Sequence, residues 1–511
     1  MENANIPDNI KSIWSSFASR TSFPNLSSDT TAEVCIIGGG ITGITTAQLL
    51  KQAGFDVVVL EALKVGAGNT GHSTGNLYVA VEGGFDVIQS KYDTEKLRTV
   101  ISARAMAMNL ISENVQRYSI DCDYNSRTWY EYASTEDDVN KIEKILKAGR
   151  DAGAQITEVF PGELPFEVVK GVKMLNQAQF NPLSYVQQLA EAVSTEGCRI
   201  YENSCVTDIQ EDEEQIIVKT ENGNVAAKYI VHATHTPKGV FLDFHSLLGT
   251  YREYGIAATL LSEDYPEGTF WGHYENNEKY SIRTYEHEGE KRIIVVGQPH
   301  EVGQKENNEE NIQNLEIFLR ERFKVGEITN RWGGQNYKPA DGLPYIGRRS
   351  KGSNVFVATG FATDGLTYGT LSAIIIRDLL TGVETDYTKL FDSSRHNPLK
   401  AAGQVIKENL INVGEIIKDY VFFKDSKMRE IPVDEGKVLE VDGKKLAIYH
   451  SATGEMRACS AVCTHLGCIV HWNKAEKTWD CPCHASRFNV DGGIIEGPAL
   501  IPLEKFDLHD R

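Results

Sequence analysis

Val34-Cys35-Ile36-Ile37-Gly38-Gly39-Gly40-Ile41-Thr42-Gly43 stands near the front of the chain, and Phe55-Asp56-Val57-Val58-Val59-Leu60-Glu61 follows it. The first apolar run predicts a short buried strand, residues 44–53 are apolar at helical spacing, and the second run predicts a buried strand ending in an acid. Together they form a βαβ unit. Gly38 permits the tight turn, Gly40 lets backbone approach a phosphate, and Gly43 lets the helix close on the strand. With Gly39, Ile41 and Thr42, this turn points N–H groups and the positive end of a helix dipole at one spot, which suits a pyrophosphate. Glu61, 23 positions after Gly38, is placed to accept from a ribose hydroxyl. The turn alone is a weak signal, but the complete unit predicts a dinucleotide site and leaves FAD or NAD open.

The chain has 511 residues, which at roughly 100–200 residues per domain implies two to four folded units. Lys plus Arg number 52 against 71 Asp plus Glu, a formal charge of −19. So acidic a surface repels phosphate backbones, and no nucleic-acid partner is expected. No apolar run approaches the ~18–20 residues that span a bilayer, so no transmembrane segment is expected. Met1-Glu2-Asn3-Ala4 opens without the basic and apolar regions of a secretory signal, and the expected address is cytoplasmic.

Residues 1–30 are polar, with Pro7 and Pro24 as breakers, and read as an N-terminal arm. Helices are expected over residues 94–117 and 139–152, and strands over 199–201, 204–209, 215–220 and 228–232. Glu221-Asn222-Gly223-Asn224 is a hairpin signal between two of these strands. Further strands are expected within 250–300 and at 355–359, and a long helix over 367–381. Polar residues from 386 to 409 mark a boundary, and after about Phe423 short alternating runs between Gly and Pro read as all-β.

Residues 66–76, Gly-Ala-Gly-Asn-Thr-Gly-His-Ser-Thr-Gly-Asn, offer small residues and amide donors for a second close approach to a large ligand. With this segment, the N-terminal turn, Asn181-Pro182, Ala233-Thr234, Asp341-Gly342-Leu343-Pro344-Tyr345-Ile346-Gly347, Gly360 and Gly365-Leu366-Thr367, the sequence resembles the D-amino-acid-oxidase-like family of FAD-dependent oxidoreductases over roughly residues 31–385. That resemblance implies the FAD pyrophosphate on residues 38–43 and its ribose on Glu61. It implies the isoalloxazine near Gly71, His72 and Gly75 on one side and Gly360, Gly365, Leu366 and Thr367 on the other. Some relatives attach FAD covalently through a His in this region, and His72 falls at a comparable place; a polar loop His is the plainer reading. The family's Gly-His-x-Gly-type run is replaced here by Gly360-Phe361-Ala362-Thr363-Asp364-Gly365. No second glycine fingerprint follows a strand, so the reductant is expected to be a small organic molecule rather than a nicotinamide cofactor.

Nine cysteines are present, and five of them, Cys459, Cys463, Cys468, Cys481 and Cys483, crowd the C-terminal end. Cys463-Thr-His465-Leu-Gly-Cys468 and Cys481-Pro-Cys483-His484-Ala-Ser486 each bring thiol and imidazole together. Two thiolates and two imidazoles hold either one tetrahedral zinc or a [2Fe–2S] cluster, and spacing alone does not choose. The boxes are similar to those of Rieske proteins, particularly those of cytochrome bc-type complexes, as is the tail Gly497-Pro498-Ala499 with Pro502-Leu503. By that resemblance Cys463 and Cys481 bind one iron, His465 and His484 the other, and Cys468 pairs with Cys483 in a disulfide. A cytoplasmic disulfide runs against the usual compartment rule, although a shielded one of low potential survives. That subgroup usually has a Tyr two residues after the Ser of the second box; Phe488 stands there instead, so the potential is expected below the roughly +300 mV top of the Rieske range.

The fold class expected is an α/β FAD-binding Rossmann-type domain with an inserted α+β substrate domain, followed by a small all-β Rieske domain. Its parts are the arm (1–30), the oxidoreductase (31–385), a linker (386–424) and the Rieske unit (425–511). FAD-binding parts are expected at about 31–90, 170–245 and 330–385, and the substrate domain at about 91–169 and 246–329. Function follows from the pairing: a dehydrogenase of a small amine or amino acid, passing electrons from flavin through the cluster to an external one-electron acceptor. The alternative is an electron-transfer or redox-sensing protein without substrate turnover. A Rieske oxygenase would need a further 2-His-1-carboxylate iron site, for which the remaining histidines offer no companion set. A substrate carboxylate would want an Arg, and Arg283 and Arg331 are the candidates, with Tyr285 and Tyr337 behind them. No catalytic base is assigned, since orientation of a neutral amine suffices for hydride transfer.

Overall fold

The computed structural model describes residues 10–16, 21–160, 162–164, 166–212, 215–239, 241–262, 267–395 and 430–508. Parts of the expected arm, most of the expected linker and the first residues of the expected Rieske unit therefore lie outside the described residues. Three sheet systems carry the chain.

In the first sheet, Tyr345–Arg348, Val355–Thr359, Asn224–His232, Thr30–Ile37, Val57–Leu60 and Arg199–Tyr201 lie side by side in that order. Ile37 pairs in parallel with Leu60 on one side and His232 on the other. Val34–Ile37 and Val57–Leu60 read as unbroken apolar runs because both faces of these strands are covered. The helices Ile41–Gln52 and Gly365–Thr381 pack together on one face, where Gly369 comes so near Thr42 that a Cβ would stand 2.5 Å from its hydroxyl.

The second sheet runs Val325–Pro339, Leu248–Leu260, Glu290–Glu301, Lys279–His287, Thr269–His273, Asn125–Ala133, Lys170–Gln179 and Asn76–Leu77. Trp129, Trp271, Ile294 and Trp332 pack on the flavin-module core, while Tyr254, Ile256, Phe270, Ile282 and Val295 form a separate core with the helix Glu309–Arg322. This sheet outruns its expected bounds. Residues 170–179 and 330–339, expected among the FAD-binding parts, lie in strands of the second sheet. In the arm, Ile13 and Trp14 are wholly buried, and the Trp14 indole N–H donates to the Ser73 carbonyl over 2.6 Å.

The C-terminal unit has two four-stranded antiparallel sheets: Glu435–Val441, Lys444–His450, Met456–Ser460 and Lys505–Phe506, then His471–Asn473, Thr478–Asp480, Arg487–Phe488 and Ile494–Glu496. The two cysteine–histidine loops leave the second sheet and the end of the first. Among the described residues no helix is long and apolar enough to cross a membrane.

Candidate functional site

The glycine turn is built as its sequence demands. Gly38 has φ +108°, and a Cβ there would lie 2.5 Å from the Ala233 carbonyl oxygen; a Cβ on Gly43 would lie 1.9 Å from the Gly38 oxygen. Only glycine fits either place. Glu61 accepts from the Gly39 N–H (2.7 Å) and the Leu63 N–H (2.8 Å), which fixes its carboxylate at the mouth of the turn. Burial raises its pKa, and those two N–H groups pull it back. Thr70 accepts from the Ile41 N–H (3.0 Å), and the Gly66 N–H donates to Gly39 (3.0 Å), so residues 66–71 are tied to the turn.

The second expected flavin segment is tied from behind. Arg283 donates to the Thr74 carbonyl, and its guanidinium lies 5.2 Å from the Trp14 ring and 5.8 Å from the Tyr285 ring. Asp364, beside Gly365, pairs with the buried Arg104 at 3.0 Å and accepts from the Glu82 N–H (3.2 Å), which ties residues 360–367 to the loop after the second segment. Across the strand pair Asn76–Gln179, Asn76 Nδ2 and Gln179 Oε1 are buried without partners. Buried polar atoms left unpaired in this position fit a heterocycle edged with nitrogen and oxygen. His72 donates from Nδ1 to the Gly68 carbonyl (2.9 Å), and its own carbonyl accepts from Trp332 Nε1 (3.0 Å).

In the C-terminal unit each cysteine–histidine loop closes on itself. Cys463 N–H donates to Cys468 O (2.8 Å) and Cys481 N–H donates to Ser486 O (2.8 Å). Cys468 and Cys483 are joined by a disulfide. Cys463 and Cys481 lie thiol to thiol, and the hydrogen bond from Cys481 lowers the pKa of the Cys463 thiol. The rings of His465 and His484 are 5.0 Å apart, and His465 Nε2 and His484 Nδ1 are buried without partners. This donor set, two thiols against two imidazoles, fits the expected cluster.

The two modules meet at this site. His245 lies against both imidazoles, with ring centroids 4.8 Å from His465 and 5.7 Å from His484. Gln335 donates from its side chain to the Ala485 carbonyl (3.0 Å) and to the Tyr337 hydroxyl (2.9 Å), while its own carbonyl accepts from the Asn69 side chain. Arg252 pairs with Glu476, which also meets Arg487 at 3.2 Å; Arg487 pairs in turn with Asp480 (3.0 Å) and Glu496 (3.7 Å). His235 and Glu496 lie 3.3 Å apart across the same seam. All of these groups are mostly buried. A Cβ on Gly333 would lie 2.5 Å from Arg252, so that glycine is the gap the arginine passes through.

Sequence reasoning missed Arg252, Glu476, Gln335 and His245, because none sits in a motif; strand register and domain docking alone bring them together. One candidate, Arg331, lies on the face of the sheet away from the expected flavin segments. Arg331 faces the helix Glu309–Arg322, where it approaches Glu316 at 3.5 Å, because it alternates along its strand with Trp332, which faces the flavin module. Tyr285 donates to Asp123 (2.6 Å), and Tyr337 lies in the seam, 4.7 Å from His235.

Fold and donor sets together define a flavoprotein oxidoreductase carrying an iron–sulfur module. The FAD dependent oxidoreductase (DAO) family model matches residues 33–379, and the Rieske [2Fe-2S] domain model matches residues 421–507. YhfW of Bacillus subtilis (strain 168), named for a Rieske 2Fe-2S iron-sulfur protein, is 32% identical over 97% of this chain and 97% of its own length. Gamma-glutamylputrescine oxidoreductase of Escherichia coli (strain K12) is 27% identical, covering 70% of this chain and 86% of its own. Glycine oxidase from Geobacillus kaustophilus superposes with a TM-score of 0.59 at 21% identity, over 72% of this chain and 99% of its own. The chain belongs to the DAO family of FAD-dependent oxidoreductases, with a C-terminal Rieske domain; the first module binds FAD and the second a [2Fe–2S] cluster.

Proposed function

We propose that the protein is a dehydrogenase of a small amine or amino acid that passes electrons from flavin to the Rieske cluster and on to an external acceptor. When bound, FAD supplies a two-electron hydride acceptor and the cluster a one-electron carrier. Residues 38–43 and Glu61 would hold the dinucleotide, residues 66–76 and 360–367 the ring, and Cys463, Cys481, His465 and His484 the irons. One observation carries the reading: Gln335 is bonded to Asn69, within residues 66–76, and to Ala485, next to His484. That one residue reaches one cofactor segment with its backbone carbonyl and the other with its side-chain amide. His245 of the flavin module packs against both imidazoles that would hold the second iron.

Anaerobic mixing of the full-length holoprotein with amines and amino acids tests this. Bleaching of the flavin absorbance followed by growth of the reduced-Rieske electron paramagnetic resonance signal is expected. If dithionite reduces both centres but no substrate of either class does, the protein is an electron shuttle instead.

A further inference from the structure

The flavin-facing side of the second sheet contains a carboxylate with no partner of its own. Along the strand Leu248–Leu260, Arg252 and Tyr254 point into the Rieske seam, where they meet Glu476 and Asn473. Glu253, between them, points the opposite way, as alternation requires. Its neighbour across the strand pair is Gly334, and a Cβ built there would meet nothing closer than the His72 carbonyl at 3.7 Å. Glu253 thus lies on the same face as Gly334, which sits in van der Waals reach of His72 in one expected flavin segment. Glu82, tied to Asp364 in the other segment, stands nearby. Among the described residues no group donates a hydrogen bond to the Glu253 carboxylate. Burial first, and then the charge of Glu82, push its pKa up against the pull of Lys338 and Lys279.

The cations around it are already engaged. Lys338 pairs with Glu82 at 2.8 Å, and Lys279 sits 4.1 Å from the Trp271 ring centroid and 3.8 Å from Glu131. Arg283 is spent on the Thr74 carbonyl under the Trp14 and Tyr285 rings, and Arg331 is on the other face. One more group on this face is unsatisfied. Asn336, two residues beyond Gly334 and 4% exposed, has a side-chain carbonyl with no donor. A carboxylate and a carbonyl acceptor, both without a donor among the described residues, match a ligand rich in N–H and positive charge.

We propose that this face of the sheet takes a cationic amine, its ammonium bound by Glu253 and the Asn336 carbonyl, and not an amino acid held by its carboxylate. The inference rests on the dehydrogenase reading for what becomes of the ligand, but the binding itself does not depend on it.

The test uses the oxidised full-length holoprotein, titrated calorimetrically with millimolar guanidinium, which carries N–H donors and charge but no C–H bond to dehydrogenate, and with acetate. Guanidinium is expected to bind and to compete with 1,4-diaminobutane; Glu253→Gln should weaken it by on the order of tenfold or more, and Glu253→Asp should restore part of the loss. An unchanged Rieske resonance signal in Glu253→Gln shows that the variant is folded. Failure of guanidinium to bind, whether or not acetate does, or equal affinity in wild type and Glu253→Gln, overturns the proposal. Anaerobic reduction separates the two claims. Bleaching by glycine or proline but not by 1,4-diaminobutane sinks the cation site and keeps the dehydrogenase; Glu253-dependent cation binding with no bleaching by any compound does the reverse.

Discussion

Arg252 of the flavin module and Glu476 of the Rieske domain form a two-pronged ion pair that is almost entirely buried, with Arg487 on the far side of the carboxylate. Replacing one partner strands a charge in a medium that solvates it poorly, which costs about 3–5 kcal/mol in comparable sites. Arg252→Met should fall at the low end, since Arg487 still faces Glu476. Thermal unfolding should show the loss, and limited proteolysis should release the C-terminal domain more readily than in wild type.

Acid should loosen the same seam. Burial alone would raise the Glu476 carboxyl, but Arg252 and Arg487 outweigh it and hold it at about 2; Glu496 is likewise held at about 2, by His235 and Arg487. An unfolded Glu titrates near ~4.3, so each carboxylate contributes stability that is full above that value and is lost as pH falls toward 2. Stability measured from pH 6 to 2 should therefore drop more steeply in wild type than in Glu476→Gln. Parallel curves would count against the pair as the cause.

Gly38→Ala should abolish FAD retention. The added methyl would stand 2.5 Å from the Ala233 carbonyl, at a φ of +108° that alanine resists. The variant should purify without flavin absorbance while keeping its Rieske signal.

Much of this was legible beforehand, for physical reasons. The βαβ unit at 30–60 and the helix Thr94–Arg117 follow from local periodicity, and the hairpin at 221–224 from turn chemistry. The cysteine–histidine boxes could be read because both loops carry their donors within a few residues of one another. Other parts depend on partners far along the chain. The strand Val325–Pro339 was not foreseen, because Gly333 and Gly334 interrupt its pattern; each glycine serves a different face, one giving room to Arg252 and the other lying opposite Glu253. His245 is a lone histidine in a short helical turn, and only docking gives it neighbours.

Phe488→Tyr should raise the cluster's midpoint potential. Phe488 is fully buried beside the cluster loops, and only a hydroxyl distinguishes it from the tyrosine of the related subgroup. A new donor to a cluster sulfur stabilises the reduced, more negative state. One net hydrogen bond amounts to roughly 60 mV for a one-electron couple. A redox titration that finds no shift would disprove the assignment of this position.

Removing the disulfide should cost the cluster its thermal endurance. Cys468 and Cys483 are 15 residues apart in sequence, and a closed loop of that size is worth about 3 kcal/mol. In Cys468→Ser with Cys483→Ser, the visible absorbance of the cluster should bleach at a lower temperature than in wild type, while the flavin band persists.

The seam sewn by Arg252, Gln335 and His245 also bears on kinetics. On the proposed electron route donor and relay share one chain and one seam, so passage between them is expected to be first order, with a rate untouched by diluting the protein. The proposed hand-off to an external acceptor would be a collision, and it alone should respond to concentration, viscosity and salt.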